Sequence, residues 1–249
     1  MLHRNKKILD YWNDEQVESM YDKHLLRAEI EMIKKRITPG SKILDAGCGE
    51  GEGTIIYSAI SGTIVHAVDF SETRLKKAAR RLKRKRNVTL KKVDFLQKYD
   101  LDNNYDIIIS QRFLINLMQW RLQKKVLLGL MGMLKKGGRF LMLEGNIDGV
   151  KELNKFRKIY FLKPIPIKWH NLFFKNKQLV NFMESNGFKL IEEDGLGEYF
   201  LLTRGIRPLF DKDLNWKTKF NKISASEEVK DMLSLHDKFS RLKLWVFKK

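Results

Sequence analysis

The chain has 249 residues, with 49 Lys and Arg against 30 Asp and Glu, a formal charge of +19. That length suffices for one large domain with a sizeable core, and 43% hydrophobic residues with fifteen Phe exclude a disordered chain. One cysteine excludes an internal disulfide framework and a multi-cysteine metal site. No apolar run reaches the ~18 residues of a membrane span, and the N-terminal stretch lacks an apolar signal core, so a cytoplasmic protein is expected. The positive charge suits nucleic acid, an anionic membrane surface or an anionic small substrate; lysine-rich solvated faces are the plainer reading.

Residues 14–36 carry Val17, Met20, Tyr21, His24, Leu25, Ala28, Ile30 and Ile33 at roughly helical spacing, stopped by the Thr-Pro-Gly at 38–40. A short buried strand is expected at 42–47, then a helix from 51 to 60 and a second strand at 63–70. Ser71 is a good N-cap for a helix over 71–86. A third strand alternates over 88–95, and a fourth, very apolar, covers 105–110. A helix over 119–134 breaks at the Lys-Lys-Gly-Gly of 135–138 before a fifth strand at 139–145. A helix at 176–186 and a sixth strand at 188–194 follow. Either 199–204 or 242–249 can supply the last strand; the helix-like 226–239 favours the second. Strands alternating with helices mean βαβ units, a parallel sheet and right-handed crossovers.

The segment Lys42–Gly53 reads KILDAGCGEGEG, with four glycines in seven positions behind the first strand. Repeated glycines there mean left-handed backbone or a ligand lying against the main chain. Open parallel sheets bind ligands at the carboxyl ends of their strands. A dinucleotide fingerprint fails, because Glu52 stands where its third glycine belongs. The run of apolar residues, Asp45, Gly47, Gly49 and Gly51 closely resembles motif I of the class I S-adenosylmethionine-dependent methyltransferases.

That resemblance implies a Rossmann-like, seven-stranded, mostly parallel sheet with helices on both faces. It also implies that Asp45, Ala46, Gly47, Cys48 and Gly49 wrap the amino-acid part of S-adenosylmethionine. Asp69 ends the second strand 24 residues past Asp45 and matches the acid that holds both ribose hydroxyls, work suited to a charged acceptor. Phe70 matches an adenine contact, Asp94 and Phe95 match the motif after the third strand, and Ser110, Gln111 and Arg112 match the one beside the transferable methyl. Plainer readings remain beside these: Asp45 as a loop brace, Asp94 as a strand-end acid, Phe95 as core, Cys48 as packing.

One domain is expected, with a helical cap at 1–38, a cofactor core at 40–145, a substrate lid at 146–175 and the rest of the sheet at 176–249. Prolines at 164 and 166 stiffen the lid and lead into Lys168, Trp169 and His170. Tyr11, Trp12 and Tyr21 are placed to close the site from the other side. Methyl transfer needs nucleophile and methyl held in line, with a base where a proton must leave. His170 is the candidate base, since an imidazole titrates near working pH; a hydrogen-bonded lid histidine is the plainer reading. Arg112 can clamp a carboxylate or phosphate or form a structural ion pair. Lys163, Lys168 and Arg157 add positive field, and Glu144 and Asn146 end the fifth strand as further substrate candidates. No metal is expected.

The expected reaction is methylation of an oxygen or nitrogen of a small polar or anionic metabolite: a sugar, nucleotide-sugar or phosphorylated precursor, such as one of a bacterial surface polysaccharide. The alternative is an RNA methyltransferase, since residues 74–86 hold nine basic residues in thirteen. That helix belongs on the sheet's flank, away from the strand ends.

Overall fold

The apolar runs pair as one seven-stranded sheet in the computed structural model, which describes residues 6–213 and 215–249. The strands are β1 (Lys42–Ala46), β2 (Ile64–Asp69), β3 (Val88–Lys92), β4 (Tyr105–Gln111), β5 (Leu134–Gly145), β6 (Lys189–Gly195) and β7 (Leu242–Lys248), in the order β3-β2-β1-β4-β5-β7-β6. β1 to β5 pair in parallel, and β7 runs antiparallel to both β5 and β6. The order reverses between β1 and β4, which opens a crevice beyond their carboxyl ends.

Ten helices accompany the sheet among the described residues: α1 (Lys6–Asn13), α2 (Lys23–Lys34), α3 (Thr54–Tyr57), α4 (Glu72–Leu82), α5 (Trp120–Met133), α6 (Ile147–Ile159), α7 (Asn176–Glu184), α8 (Gly197–Phe200), α9 (Lys219–Ser224) and α10 (Glu227–Leu233). Both faces of the sheet are covered, so its central strands are apolar throughout. Leu44, Ile108, Phe140, Met142, Trp245 and Phe247 pack with Val126, Leu127 and Leu130 of α5 and Leu179 and Met183 of α7. The alternate residues Ile43, Ile107, Ile109, Leu141, Leu143 and Val246 pack with Leu25, Leu26, Ile30 and Ile33 of α2, Leu153 of α6 and Tyr199 and Phe200 of α8. The period-two alternation of strands divides the core into these two layers.

Several expected boundaries move. The helix read over 14–36 begins only at Lys23, because Asp22 accepts from the Leu25 amide at 3.1 Å and caps it. Residues 14–22 turn instead, and α1 precedes them. The helix read from 51 to 60 shrinks to α3, since Gly51 at φ +74° cannot start a right-handed helix. The third strand ends at Lys92 rather than 95. Residues 199–204 are helical, in α8 and a π-type turn over Leu201–Ile206, so the last strand is the preferred one, β7. The first half of the expected lid is α6, anchored by buried Val150 and Leu153. Residues 1–5 of the expected cap lie outside the described residues.

Candidate active site

The glycine loop turns the chain sharply at the end of β1. Gly47 and Cys48 donate their amides to the Val68 carbonyl at 2.8 and 3.0 Å, tying the loop to β2. Gly47 sits at φ +77°, and a Cβ there would stand 2.5 Å from the Phe113 Cβ, so both conformation and space require glycine. Gly49 is also left-handed, at φ +54°, yet nothing lies within 4 Å of its missing Cβ. Its bare main chain faces a cavity of about 120 Å³ lined by Asp45, Gly47, Cys48, Asp69, Phe70 and Gln111, among others.

Asp69 closes β2 with its carboxylate engaged: the Gly49 amide donates to Oδ2 at 3.0 Å and the Ser71 amide to Oδ1 at 2.8 Å. Asp45 is buried and accepts from the Thr54 hydroxyl at 2.6 Å. Burial pushes its carboxyl up to about 6 despite that bond, with Asp69 adding to the rise. Burial also lifts the Cys48 thiol well above its ordinary value, which suits packing and not nucleophilic attack.

The N-terminal segment roofs this cavity through polar contacts. Arg74, from α4, is buried and donates through Nε to the Trp12 carbonyl at 3.2 Å, through Nη2 to the Val17 carbonyl and through Nη1 to Glu50. The Ser71 hydroxyl donates to the Trp12 carbonyl at 3.0 Å, and the Thr73 hydroxyl to the Asn13 carbonyl at 3.0 Å. A strap over 12–19 is thereby fastened above the strand ends.

Beside it lies a second cavity of about 230 Å³, and Trp12, Ser19, Arg112 and Asn116 line both. His170 is buried at the second, with ring centroids 4.6 Å from Tyr11, 5.5 Å from Trp12 and 5.3 Å from Trp169. Burial, with the Lys168 ammonium, pulls its pKa down to about 4. The imidazole is therefore neutral near pH 7, and its buried Nδ1 has no hydrogen-bond partner among the described residues. Asn116 Oδ1 and Trp12 Nε1 are likewise buried and unpaired. Orphaned polar atoms are costly in a folded core and are satisfied when a polar ligand enters.

Arg112 stands at the junction in a left-handed conformation, φ +51°, which a non-glycine residue adopts only under constraint. Its amide donates to the Leu143 carbonyl at 2.8 Å, and its Nε lies 3.1 Å from Glu29 of α2. Glu29 is fully buried and also accepts from Gln111 Nε2 at 2.7 Å. Burial raises the Glu29 carboxyl, while Arg112 and Gln111 pull it down. Glu144, buried at the end of β5, accepts from the Ser110 hydroxyl and from the amides of Phe113, Leu114 and Ile115 at 3.1, 2.9 and 3.2 Å. It folds the turn that carries Arg112, Phe113 and Asn116, and burial pushes its carboxyl up to about 7.

The first cavity thus gathers Asp45, Gly47, Cys48, Gly49, Asp69, Phe70 and Gln111, and the second Tyr11, Tyr21, Lys168 and His170. Other candidates fall elsewhere. Ala46 is enclosed in the core, and Phe95 packs there 5.1 Å from Tyr99 and 5.6 Å from Phe113. Asp94 accepts from the Leu96 amide at 3.1 Å and lines neither cavity. Ser110 and Glu144 serve one another and the turn. Asn146 caps α6 through the Asp148 amide, and Trp169 packs against His170 without lining the cavity. Arg157 donates to the Lys163 carbonyl at 2.7 Å, and neither residue lines the cavity.

Sequence reasoning misses Glu29, Asn116, Arg204, Trp216 and Arg241, which topology alone brings to the site, and reads Arg74 only as part of a basic run. Among the described residues no group of three or more His, Cys, Asp or Glu could hold a metal. The bare Gly49 backbone, the Asp69 carboxylate and the unpaired Trp12 and Asn116 atoms fit a nucleoside-bearing donor of the kind the glycine loop implies.

Residues 37–195 match a family model described as a methyltransferase domain. Demethylmenaquinone methyltransferase of Staphylococcus carnosus (strain TM300) is 26% identical over 185 residues, which cover 73% of this chain and 75% of that protein. The fold is shared with magnesium protoporphyrin IX methyltransferase of Synechocystis PCC 6803, solved with bound SAH: TM-score 0.63, 15% identity, 98% of this chain and 100% of that one. It is also shared with phosphoethanolamine N-methyltransferase 1 of Haemonchus contortus, in complex with phosphoethanolamine and S-adenosylhomocysteine: TM-score 0.64, 14% identity, 98% of this chain and 47% of that one.

Proposed function

The chain belongs to the methyltransferase-domain family and uses S-adenosylmethionine as methyl donor; we propose that its acceptor is a small polar or anionic metabolite, methylated on oxygen or nitrogen where the two cavities meet. The carrying observation is that Trp12, Ser19, Arg112 and Asn116 line both cavities, so donor and acceptor approach each other across one shared wall. When bound, S-adenosylmethionine supplies an electrophilic methyl group on a sulfonium. Gly49 and Asp69 hold the nucleoside and exclude water from beneath the strap. Arg112, pinned by Glu29, fixes the wall between the pockets, and such fixed positioning accounts for most of the acceleration in a displacement of this kind. His170, unpaired at Nδ1 among the described residues, accepts a hydrogen bond from the acceptor's hydroxyl or amine and orients it. With its pKa pulled down to about 4 it is too weak a base to carry the proton, which corrects the expectation drawn from an imidazole's ordinary titration range.

Among the described residues no helix is long and apolar enough to cross a membrane, and a cytoplasmic location is part of the proposal. Within the expected range of acceptors, surface-polysaccharide precursors draw no support from the relatives. Demethylmenaquinone, named for the Staphylococcus relatives, is the second reading, favoured by the aromatic rings of Tyr11, Trp12 and Phe173 around the second cavity. RNA is disfavoured because the basic run of α4 turns partly inward: Arg74 is buried, and Lys77 and Arg81 bind Glu50.

The test is S-adenosylhomocysteine release by purified protein, given S-adenosylmethionine with hydroxylated or aminated small acids, a demethylmenaquinone analogue, or total RNA. Turnover with the small acids supports the proposal. Turnover only with the quinone analogue or with RNA overturns it.

A further inference from the structure

We infer that the acceptor carries an oxyanion, a carboxylate or a phosphate, bound by Arg241 and Lys168 in the part of the second cavity that the first does not share. This rests on the reading that the second cavity takes the acceptor. Four cations line that cavity: Arg112, Lys168, Arg204 and Arg241. Two are already matched. Arg112 has Glu29 at 3.1 Å, and Arg204 has Asp22 at 2.9 Å, where Asp22 also accepts from the Tyr199 hydroxyl at 2.6 Å. Glu18, the other carboxylate on the lining, is exposed and lies 3.7 Å from Lys23.

Lys168 and Arg241 are left over, and neither has a salt-bridge partner among the described residues. Arg241 is half-buried, its guanidinium makes no hydrogen bond among the described residues, and it lies over the face of Phe173, 5.8 Å from the ring centroid. Burial and the neighbouring Arg204 pull its pKa down to about 10, and burial together with Arg241 and Arg112 pulls the Lys168 ammonium down. Like charges gathered in a partly desolvated space cost free energy and return none to the fold. An anion between them reverses that sign, and a guanidinium offers a fork that fits carboxylate and phosphate alike. Arg204 adds a buried Nη1 without a partner, beside the Trp216 ring at 3.7 Å. Cations next to aromatic rings suit a flat or apolar body that bears a charged end.

The experiment is calorimetry on protein saturated with S-adenosylhomocysteine, titrated with 4-hydroxybenzoate, phenyl phosphate and the uncharged 4-hydroxybenzamide. The wild type is compared with Lys168→Met, Arg241→Met and Arg241→Lys. At least one anion is expected to bind about tenfold or more tightly than the amide, with the two anions distinguishing carboxylate from phosphate. The preference collapses in both Met variants and returns in part in Arg241→Lys. Lys168 is exposed on an irregular segment, so its variant reports even where Arg241→Met folds poorly. Equal binding of amide and anions, no binding of either anion at millimolar concentration, or an undiminished preference in Lys168→Met overturns the inference. Loss of S-adenosylhomocysteine binding by the wild type would instead overturn the reading of the site on which it rests.

Discussion

The two cavities meet at Arg112 and are built in opposite ways. The first cavity, proposed for the cofactor, comes largely from one contiguous stretch, Asp45 to Arg74, whose backbone does much of the shaping. The second cavity, proposed for the acceptor, is assembled from Tyr11 to Leu25, the turn after β4, residues 168–173, and Phe200, Arg204, Trp216 and Arg241. Its recognition groups are side chains delivered by segments far apart in sequence. A site made of main chain tolerates little change at its glycines. One made of side chains can change its ligand by substitution without disturbing the sheet.

The sharpest way to break this contrast is at the shared wall. Glu29→Ala should destabilise the protein by about 3–5 kcal/mol, because it strands a half-buried guanidinium; urea unfolding reads it, and an effect below about 1 kcal/mol would mean that Arg112 finds water. Within the cofactor cavity, Asp69→Ala removes the acceptor of the Gly49 and Ser71 amides and the expected ribose contact. Its S-adenosylhomocysteine affinity should fall roughly a hundredfold, about 3 kcal/mol, by calorimetry. Affinity equal to wild type would remove Asp69 from the site. Gly47→Ala meets Phe113 and a left-handed backbone, a strain of about 1–3 kcal/mol. Thermal unfolding and cofactor titration should both register it, whereas Gly132→Ala, inside α5 with nothing within 4 Å, should leave cofactor affinity unchanged and raise stability by about 0.5–1 kcal/mol.

The last effect is a pH dependence. Burial raises Glu144 to about 7 from 4.5 and Asp45 to about 6 from 3.8. The folded state then holds protons that the unfolded chain releases, so this contribution is full below the unfolded values and is lost as pH rises to about 7. Denaturation at about pH 5 and about pH 7.5 should show the decline, and Glu144→Gln should flatten its upper part. An unchanged slope in that variant would assign the titration to another group.

The same division governs what could be read from sequence. The glycine loop and Asp69 are local patterns with local causes: the loop follows β1 and Asp69 ends β2 where the residues predict, and the strand-helix alternation holds in order though several boundaries move. Arg112 was legible as a position but not as a partner of Glu29, which sits in the middle of an amphipathic helix pattern with nothing to mark it. Glu144 and Asn146 read as substrate contacts because strand ends attract ligands; instead they satisfy the backbone of a turn and cap a helix. His170 and Lys168 were legible as candidates and both line the second cavity, but Arg204 and Arg241 sit in stretches whose direction only the finished sheet determines.

β7 fills the slot between β5 and β6, and the chain reaches it only after the whole excursion over 196–241. Until it inserts, two strand edges stay open and Trp245 and Phe247 have no enclosure. Its arrival also brings Arg241 and Leu242 to the second cavity. Closing the sheet and finishing that cavity are therefore a single event. On the proposed assignment of the two cavities, a molecule whose β7 has frayed keeps the glycine loop and loses Arg241 from the acceptor side.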